Sequence, residues 1–339
     1  MNLNNTKRRD FLAGGLGLAT IAALTACAGS ESSGSSGGAE KMPIKVGYIA
    51  DYNGAALLAL ANEEGYWDQA GLKPDFVPFT NGPLAIQALG TNNVDVAYIG
   101  SGALWLPASG KAEIWALNTV SNADRVIAQP GISSMEDLKG KKVGVPEGTS
   151  GDQLLNLVLK KEGLKREDFD IVTMDPSTAV SAFASGQIDG AALWYPLIDN
   201  IKERVPDVVE LAANKDYLDD LTFPSSFVAA AGRAEKDKEL AQKFISVVKA
   251  SNDFRQENTE KSLSASAKFL KVGEETLKPQ VDVAITFTSA ELEEKTKDGT
   301  IGKWLKGLEE QFLADDKIDK IADPKTFYTG DLYVETKKA

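Results

Sequence analysis

The chain contains no histidine among its 339 residues. That absence removes the side chain most often used as a general base, the Ser-His-Asp arrangement of hydrolases, and the commonest metal ligand. Carboxylate-only catalysis stays open, as in glycosidases, but no paired carboxylates at a strand end favour it. Cysteine occurs once, at Cys27. No disulfide within the chain and no cysteine cluster for a metal can form. Positive charge is short as well: the formal net charge is −12. Such an acidic surface argues against nucleic acid and against adhesion to anionic lipid. The apolar run from Leu12 to Leu24 falls short of the about 20 residues that a spanning helix needs, and no later stretch is long and apolar enough. Neither a cofactor nor a metal is expected.

What is present begins with Lys7-Arg8-Arg9-Asp10-Phe11-Leu12 ahead of that apolar run. Arg8-Arg9 followed by Phe11-Leu12 matches a twin-arginine export signal; a Sec-type signal is the alternative. Leu24-Thr25-Ala26-Cys27 resembles the lipobox of bacterial lipoproteins, in which the signal is removed before a cysteine that then carries lipid. Acylation would account for an otherwise unpaired thiol in an exported protein. Residues 27–42, rich in Gly and Ser, read as a flexible tether. The expected plan is therefore an export signal over 1–26, a tether over 27–42, and a folded remainder held off a membrane.

The centre of that remainder is Lys141 to Leu159. Lys141-Lys142-Val143-Gly144-Val145 reads as a short buried strand, stopped by Pro146. Gly148 and Gly151 allow a tight turn and a close approach to a ligand. Thr149 and Ser150 suit a helix N-cap. Leu154, Leu155, Val158 and Leu159 share one helical face. A strand, a Gly/Ser/Thr turn and a helix aim free N–H groups out of the strand's carboxyl end, where small molecules sit in open α/β sheets. It is not a phosphate loop of the Gly-Lys-Ser/Thr type, since the run here is Gly151-Asp152-Gln153.

Similar units flank it. Strands are expected at 43–49, 73–79 (an edge, from its prolines), 95–100, 114–120, 171–174, 188–194, 208–211 and 226–231, with helices at 55–65, 83–89, 154–162 and 178–185. Beyond Lys236 the pattern turns helical, over 240–254, 257–269, 273–283 and 289–312, with an extended tail at 328–334. Trp67 and Trp115 read as core. Alternating strands and helices imply parallel-rich, covered sheets, in two sets over roughly 44–121 and 126–225, with a ligand between their strand ends.

Several pieces then carry a resemblance: Lys45-Val46-Gly47-Tyr48 with Ala59 to Trp67; Gln87-Ala88-Leu89 with Val94-Asp95-Val96-Ala97; Asp137-Leu138-Lys139-Gly140-Lys141-Lys142-Val143-Gly144; Ala182-Phe183-Ala184-Ser185-Gly186-Gln187-Ile188-Asp189-Gly190-Ala191; and Trp194-Tyr195-Pro196. In order and spacing these resemble the nitrate/sulfonate/taurine-binding group of ABC-importer solute-binding proteins, which also includes binders of thiamine-precursor pyrimidines. The resemblance implies an α/β, two-lobed periplasmic-binding-protein fold of type II, with lobe 1 from 43–122 and 228–339 and lobe 2 from 123–227. It implies a monomer that closes on a small molecule by bending near 120–126 and 222–228, then docks on ABC permease subunits.

Carried over by position, the implied ligand contacts are Asp51, Tyr52, Asn53, Gly54, Ser101, Trp105, Thr149, Ser150, Asp152, Trp194, Tyr195 and Phe223, with Ser225 weaker. These loops contain no Arg or Lys but do contain Asp51, Glu147 and Asp152. Carboxylates and aromatic faces suit a cation or a zwitterion such as taurine; helix N-termini at Ser101 and Thr149 could instead hold a sulfonate or nitrate. A thiamine-pyrimidine-synthesis enzyme is the competing class, and the missing histidine weighs against it.

Overall fold

The computed structural model describes residues 40–339; the expected signal, Cys27 and most of the expected tether lie outside them. Eleven strands are formed among the described residues: β1 (Met42–Ile49), β2 (Leu72–Phe79), β3 (Val96–Ile99), β4 (Ala112–Ser121), β5 (Asp124–Ala128), β6 (Lys142–Val145), β7 (Asp170–Thr173), β8 (Gly190–Trp194), β9 (Val209–Ala213), β10 (Pro224–Ala230) and β11 (Ala284–Thr286). They make two sheets, in the orders β11-β4-β10-β3-β1-β2 and β7-β6-β8-β5-β9.

The two sheets repeat one plan. In each, a central strand lies parallel between two neighbours: β1 between β2 and β3, and β6 between β7 and β8. A strand that arrives from the other sheet then joins antiparallel: β10 beside β3 and β4, and β5 beside β8 and β9. The chain passes between sheets at 122–123 and again over 214–223. β2, with Pro74 and Pro78, takes an edge, where a missing N–H leaves no ladder bond unmade.

Apolar periodicity decides the layers. Helix Lys238–Glu257 buries Phe244 against Trp115 (ring centroids 6.1 Å), Phe227 (5.4 Å) and Trp67 (6.1 Å). Trp115 is fully buried and its Nε1 donates to Glu113 Oε1 at 2.8 Å, so the indole costs no unmade hydrogen bond. On the second sheet, helix Ser150–Glu162 buries Leu154, Leu155 and Val158.

Three expectations fail locally. The helix expected over 289–312 is two, Ser289–Lys297 and Thr300–Ala314, because Gly299 takes φ +82° between them. The tail expected as extended forms helix Gly330–Glu335, its Tyr333 fully buried under the Lys249 ammonium, 4.5 Å from the ring centroid. The three-residue β11 inside the helical region pairs with β4; a strand that short carries no readable period. No helix of the described residues is long and apolar enough to cross a membrane.

Candidate functional site

The carboxyl ends of β1, β3, β4, β6 and β8 and the starts of β5 and β10 face one cleft of about 530 Å³ of atom-free space, its open mouth included. From the first sheet's side come Asp51 and Asn53 after β1, Tyr98 on β3, Ser101 after it, and Ser225 at the start of β10. From the second come Thr149 and Ser150 after β6, and Trp194 and Tyr195 at the end of β8. Asp124, the first residue of β5, reaches the cleft from the crossing itself, with Ser121 and Ala123.

Two turns build opposite walls. After β1, Asp51 caps helix Tyr52–Glu63 by accepting the Gly54 N–H at 2.7 Å on Oδ1. After β6, Thr149 precedes helix Ser150–Glu162, and its hydroxyl donates to the Pro146 carbonyl at 2.7 Å. The walls touch: Ser101 Oγ donates to Gln153 Oε1 at 2.6 Å, and a Cβ on Gly102 would lie 2.0 Å from the Thr149 carbonyl. Only glycine allows that approach.

The electrostatics of the cleft are one-sided. Its lining includes two carboxylates and no Lys or Arg. Asp124 is 1% exposed; Oδ2 accepts from Asn214 Nδ2 at 3.2 Å, while Oδ1 is buried with no partner. Burial pushes its carboxyl up to about 6, against the Ser150 hydroxyl, Arg125 and the Ser121 hydroxyl. Burial likewise pushes Asp51 up to about 7; the Gly54 and Asn53 N–H groups oppose it, and the Asp124 charge adds to it. Asn53 is 9% exposed and its Oδ1 also lacks a partner.

The nearby cations are committed elsewhere. Arg125 donates from Nε to Glu210 Oε2 at 2.8 Å and from Nη1 to the Asn122 and Asp124 carbonyls at 2.7 Å. Arg255 is buried behind the first wall, where its Nη1 donates to Asn118 Oδ1 at 2.9 Å and its Nη2 to Asn252 Oδ1 at 2.6 Å. Burial lowers that guanidinium to about 10. Asn118 Nδ2 in turn donates to the Asn53 carbonyl at 2.6 Å, which fixes the backbone from which Asn53 projects.

Of the expected contacts, Asp51, Asn53, Ser101, Thr149, Ser150, Trp194, Tyr195 and the weaker Ser225 come together in the cleft lining. Tyr52, Gly54, Trp105, Asp152 and Phe223 do not. Tyr52 is buried on the far side of its helix, its hydroxyl 3.0 Å from Ser262 Oγ. Gly54 serves packing: a Cβ there would meet the Ile49 carbonyl at 2.3 Å. Trp105 leans on the Gly148 turn outside the lining. Phe223 is core.

Asp152 turns away from the cleft. It accepts the Gly148 N–H at 2.8 Å and pairs with Arg166 at 2.7 Å. Glu147 is taken by Lys317 at 2.6 Å, so of the three acidic groups counted from sequence only Asp51 lines the cleft. Tyr195 lines it, but its ring already carries Arg125 at 5.2 Å and Lys202 at 5.1 Å, and its hydroxyl donates to Glu210 at 2.7 Å. Its face is therefore occupied by the protein's own cations. Asp124, Tyr98 and Ser121 were not foreseen. The one available signal for Asp124 was its place within the stretch expected to bend.

Two sheets of this order, joined by two crossings with a polar cleft at their strand ends, define a periplasmic-binding-protein fold of type II. The chain belongs to the NMT1/THI5 like family, whose model matches residues 53–262. A provisionally named binding protein of Brucella abortus is 48% identical over 96% of this chain and 99% of its own length. The taurine-binding periplasmic protein of Escherichia coli is 29% identical over 40% of this chain and 43% of its own. The crystal structure of the periplasmic aliphatic sulphonate binding protein from Escherichia coli matches with a TM-score of 0.66 and 21% identity, over 87% of this chain and 99% of that one.

Proposed function

We propose that this chain is the extracytoplasmic solute-binding component of an ABC importer and captures a small nitrogen-bearing cation in the cleft, without chemistry of its own. The observation that carries the ligand reading is a lining with two buried carboxylates and no cationic side chain. Burying a charge costs free energy unless a partner compensates it; a cationic solute supplies that partner. In this reading 43–122 with 228–339, and 123–227, act as two lobes that bend at the crossings, and the closed form is what the permease subunits accept. Export and a lipid on Cys27 hold the protein at the membrane, as a monomer.

A sulfonate or nitrate is the second reading, favoured by the name of the sulphonate-binding protein it resembles; taurine, a zwitterion and the named ligand of another relative, carries features of both. The second reading would have to rely on helix starts such as Ser150, since the lining offers no Lys or Arg. A thermal-shift screen of the full chain against guanidinium, small amines, taurine, alkylsulfonates and nitrate separates the two. A ligand at 100 times its Kd stabilises by about 2.7 kcal/mol. Shifts with cations only are expected; shifts with sulfonates or nitrate only would overturn the cationic reading. For the anchor, Cys27→Ser should release the protein from membranes, and unchanged retention would refute lipidation.

A further inference from the structure

We infer that the cleft takes a planar cation of the guanidinium or amidinium type, held between Asp51 on one wall and Asp124 at the crossing, in preference to a compact ammonium. The inference rests on the cationic reading and narrows it.

Three features carry it. First, the unmet acceptors are spread across the cleft. Asp124 Oδ1 and Asn53 Oδ1 are both buried, in residues at least nine-tenths buried, and neither has a hydrogen-bond partner. Asp51 Oδ1 accepts the Gly54 N–H, and no side-chain cation pairs with the carboxylate in the cleft lining. Asp51 and Asn53 sit at the start of one helix, and Asp124 enters from the crossing. A planar cation with N–H groups around its rim can donate to both sides at once, whereas an ammonium concentrates its donors on one atom. A quaternary ammonium has none and would leave the Asn53 and Asp124 oxygens unmet.

Second, the two walls already meet. The Gly102–Thr149 approach and the Ser101–Gln153 bond bring the walls into contact beside the lining. Guanidinium is more weakly hydrated than ammonium, so entering such a site costs it less. Third, Tyr98 and Trp194 also line the cleft. Aromatic side chains can stack with a planar cation, and with Tyr195 already carrying Arg125 and Lys202, these two are the aromatic rings left for it.

The test is titration calorimetry on the full-length chain at pH 8 and constant ionic strength. The probes are guanidinium chloride at millimolar concentration and below, acetamidinium, methylammonium, tetramethylammonium and taurine. Guanidinium and acetamidinium should bind at least tenfold more tightly than methylammonium, and tetramethylammonium should not bind measurably. Asn53→Ala should cut guanidinium affinity severalfold and leave methylammonium affinity nearly unchanged. Its backbone carbonyl still accepts from Asn118, and an unaltered melting curve would show that the variant folds. Methylammonium binding as tightly as guanidinium would overturn this inference and leave the cationic reading standing. Taurine binding with no response to any simple cation would overturn both.

Discussion

The turns after β1 and after β6 are built alike and end differently. Each lets a strand pass into a helix, and each carries an aspartate near the helix start. Asp152 meets a guanidinium at 2.7 Å, with Lys317 Nζ 3.9 Å from its other oxygen. Asp51 meets only backbone N–H groups, and burial raises its carboxyl to about 7. One turn spends its charge on holding the fold; the other keeps it for the cleft. Arg166 and Lys317 stand 14 and 165 residues from Asp152, so a count of charges along the loops cannot tell which aspartate is spent.

That contrast is broken most directly by exchanging each aspartate for asparagine. Asp51→Asn and Asp124→Asn should each weaken guanidinium binding by a factor of ten or more. Asp152→Asn should leave affinity within about threefold but destabilise by about 2 kcal/mol, because a charged hydrogen-bond partner is lost. At pH 8 Asp51→Asn should raise the melting temperature of the empty protein: asparagine still caps the helix and no longer ionises in a buried site. A fall in melting temperature would show that Asp51, too, is structural.

The next largest effect belongs to the contact between the walls. Gly102→Ala places a methyl group where the Thr149 carbonyl now lies, so the walls must move apart. Affinity should drop about tenfold and the melting temperature of the empty protein should fall, since the walls meet without a solute; an unchanged Kd would mean that binding does not need this contact. Trp194→Ala should weaken guanidinium binding a few-fold and reduce the change in tryptophan fluorescence on titration. An unaltered fluorescence response would assign Trp194 to the core.

A separate test is the dependence on pH. The folded-state pKa values of Asp51 and Asp124 are raised, to about 7 and about 6, above the usual 3.8. Each therefore contributes stability that is fully present below the unfolded value and lost as pH rises through the folded one. The empty protein should lose stability from these two groups between about pH 4 and pH 7, and cation affinity should rise between about pH 5 and pH 8 as the folded-state carboxyls ionise. A flat affinity profile from pH 5 to pH 8 would argue against ionised carboxylates as the ligand's partners.

Much of the fold could be read from the chain because its strands and long helices each keep one period. The edge placement of β2 followed from Pro74 and Pro78, and Trp67 and Trp115 read correctly as core. What escaped depended on long-range context: the break at Gly299, the three-residue β11, and the helical tail held over Lys249. The cleft was legible where residues follow a strand directly, as with Asn53, Ser101 and Ser150. Tyr52 and Gly54 share the Asp51 turn yet face the packing side, since one helical turn points neighbouring side chains in different directions. Asp124 was hidden because its importance comes from the chain changing sheets there.

The approach of Gly102 to the Thr149 carbonyl has a consequence in time. With no side chain between the walls, the proposed closure would let a captured solute leave only after the two sides part. Ligands of different strength should therefore share a ceiling on their dissociation rate, set by the opening of the protein. Strong and weak cations would then differ chiefly in how often an opening ends in escape. The dwell time of the cargo would become a property of the carrier, adjustable at a position that never touches it.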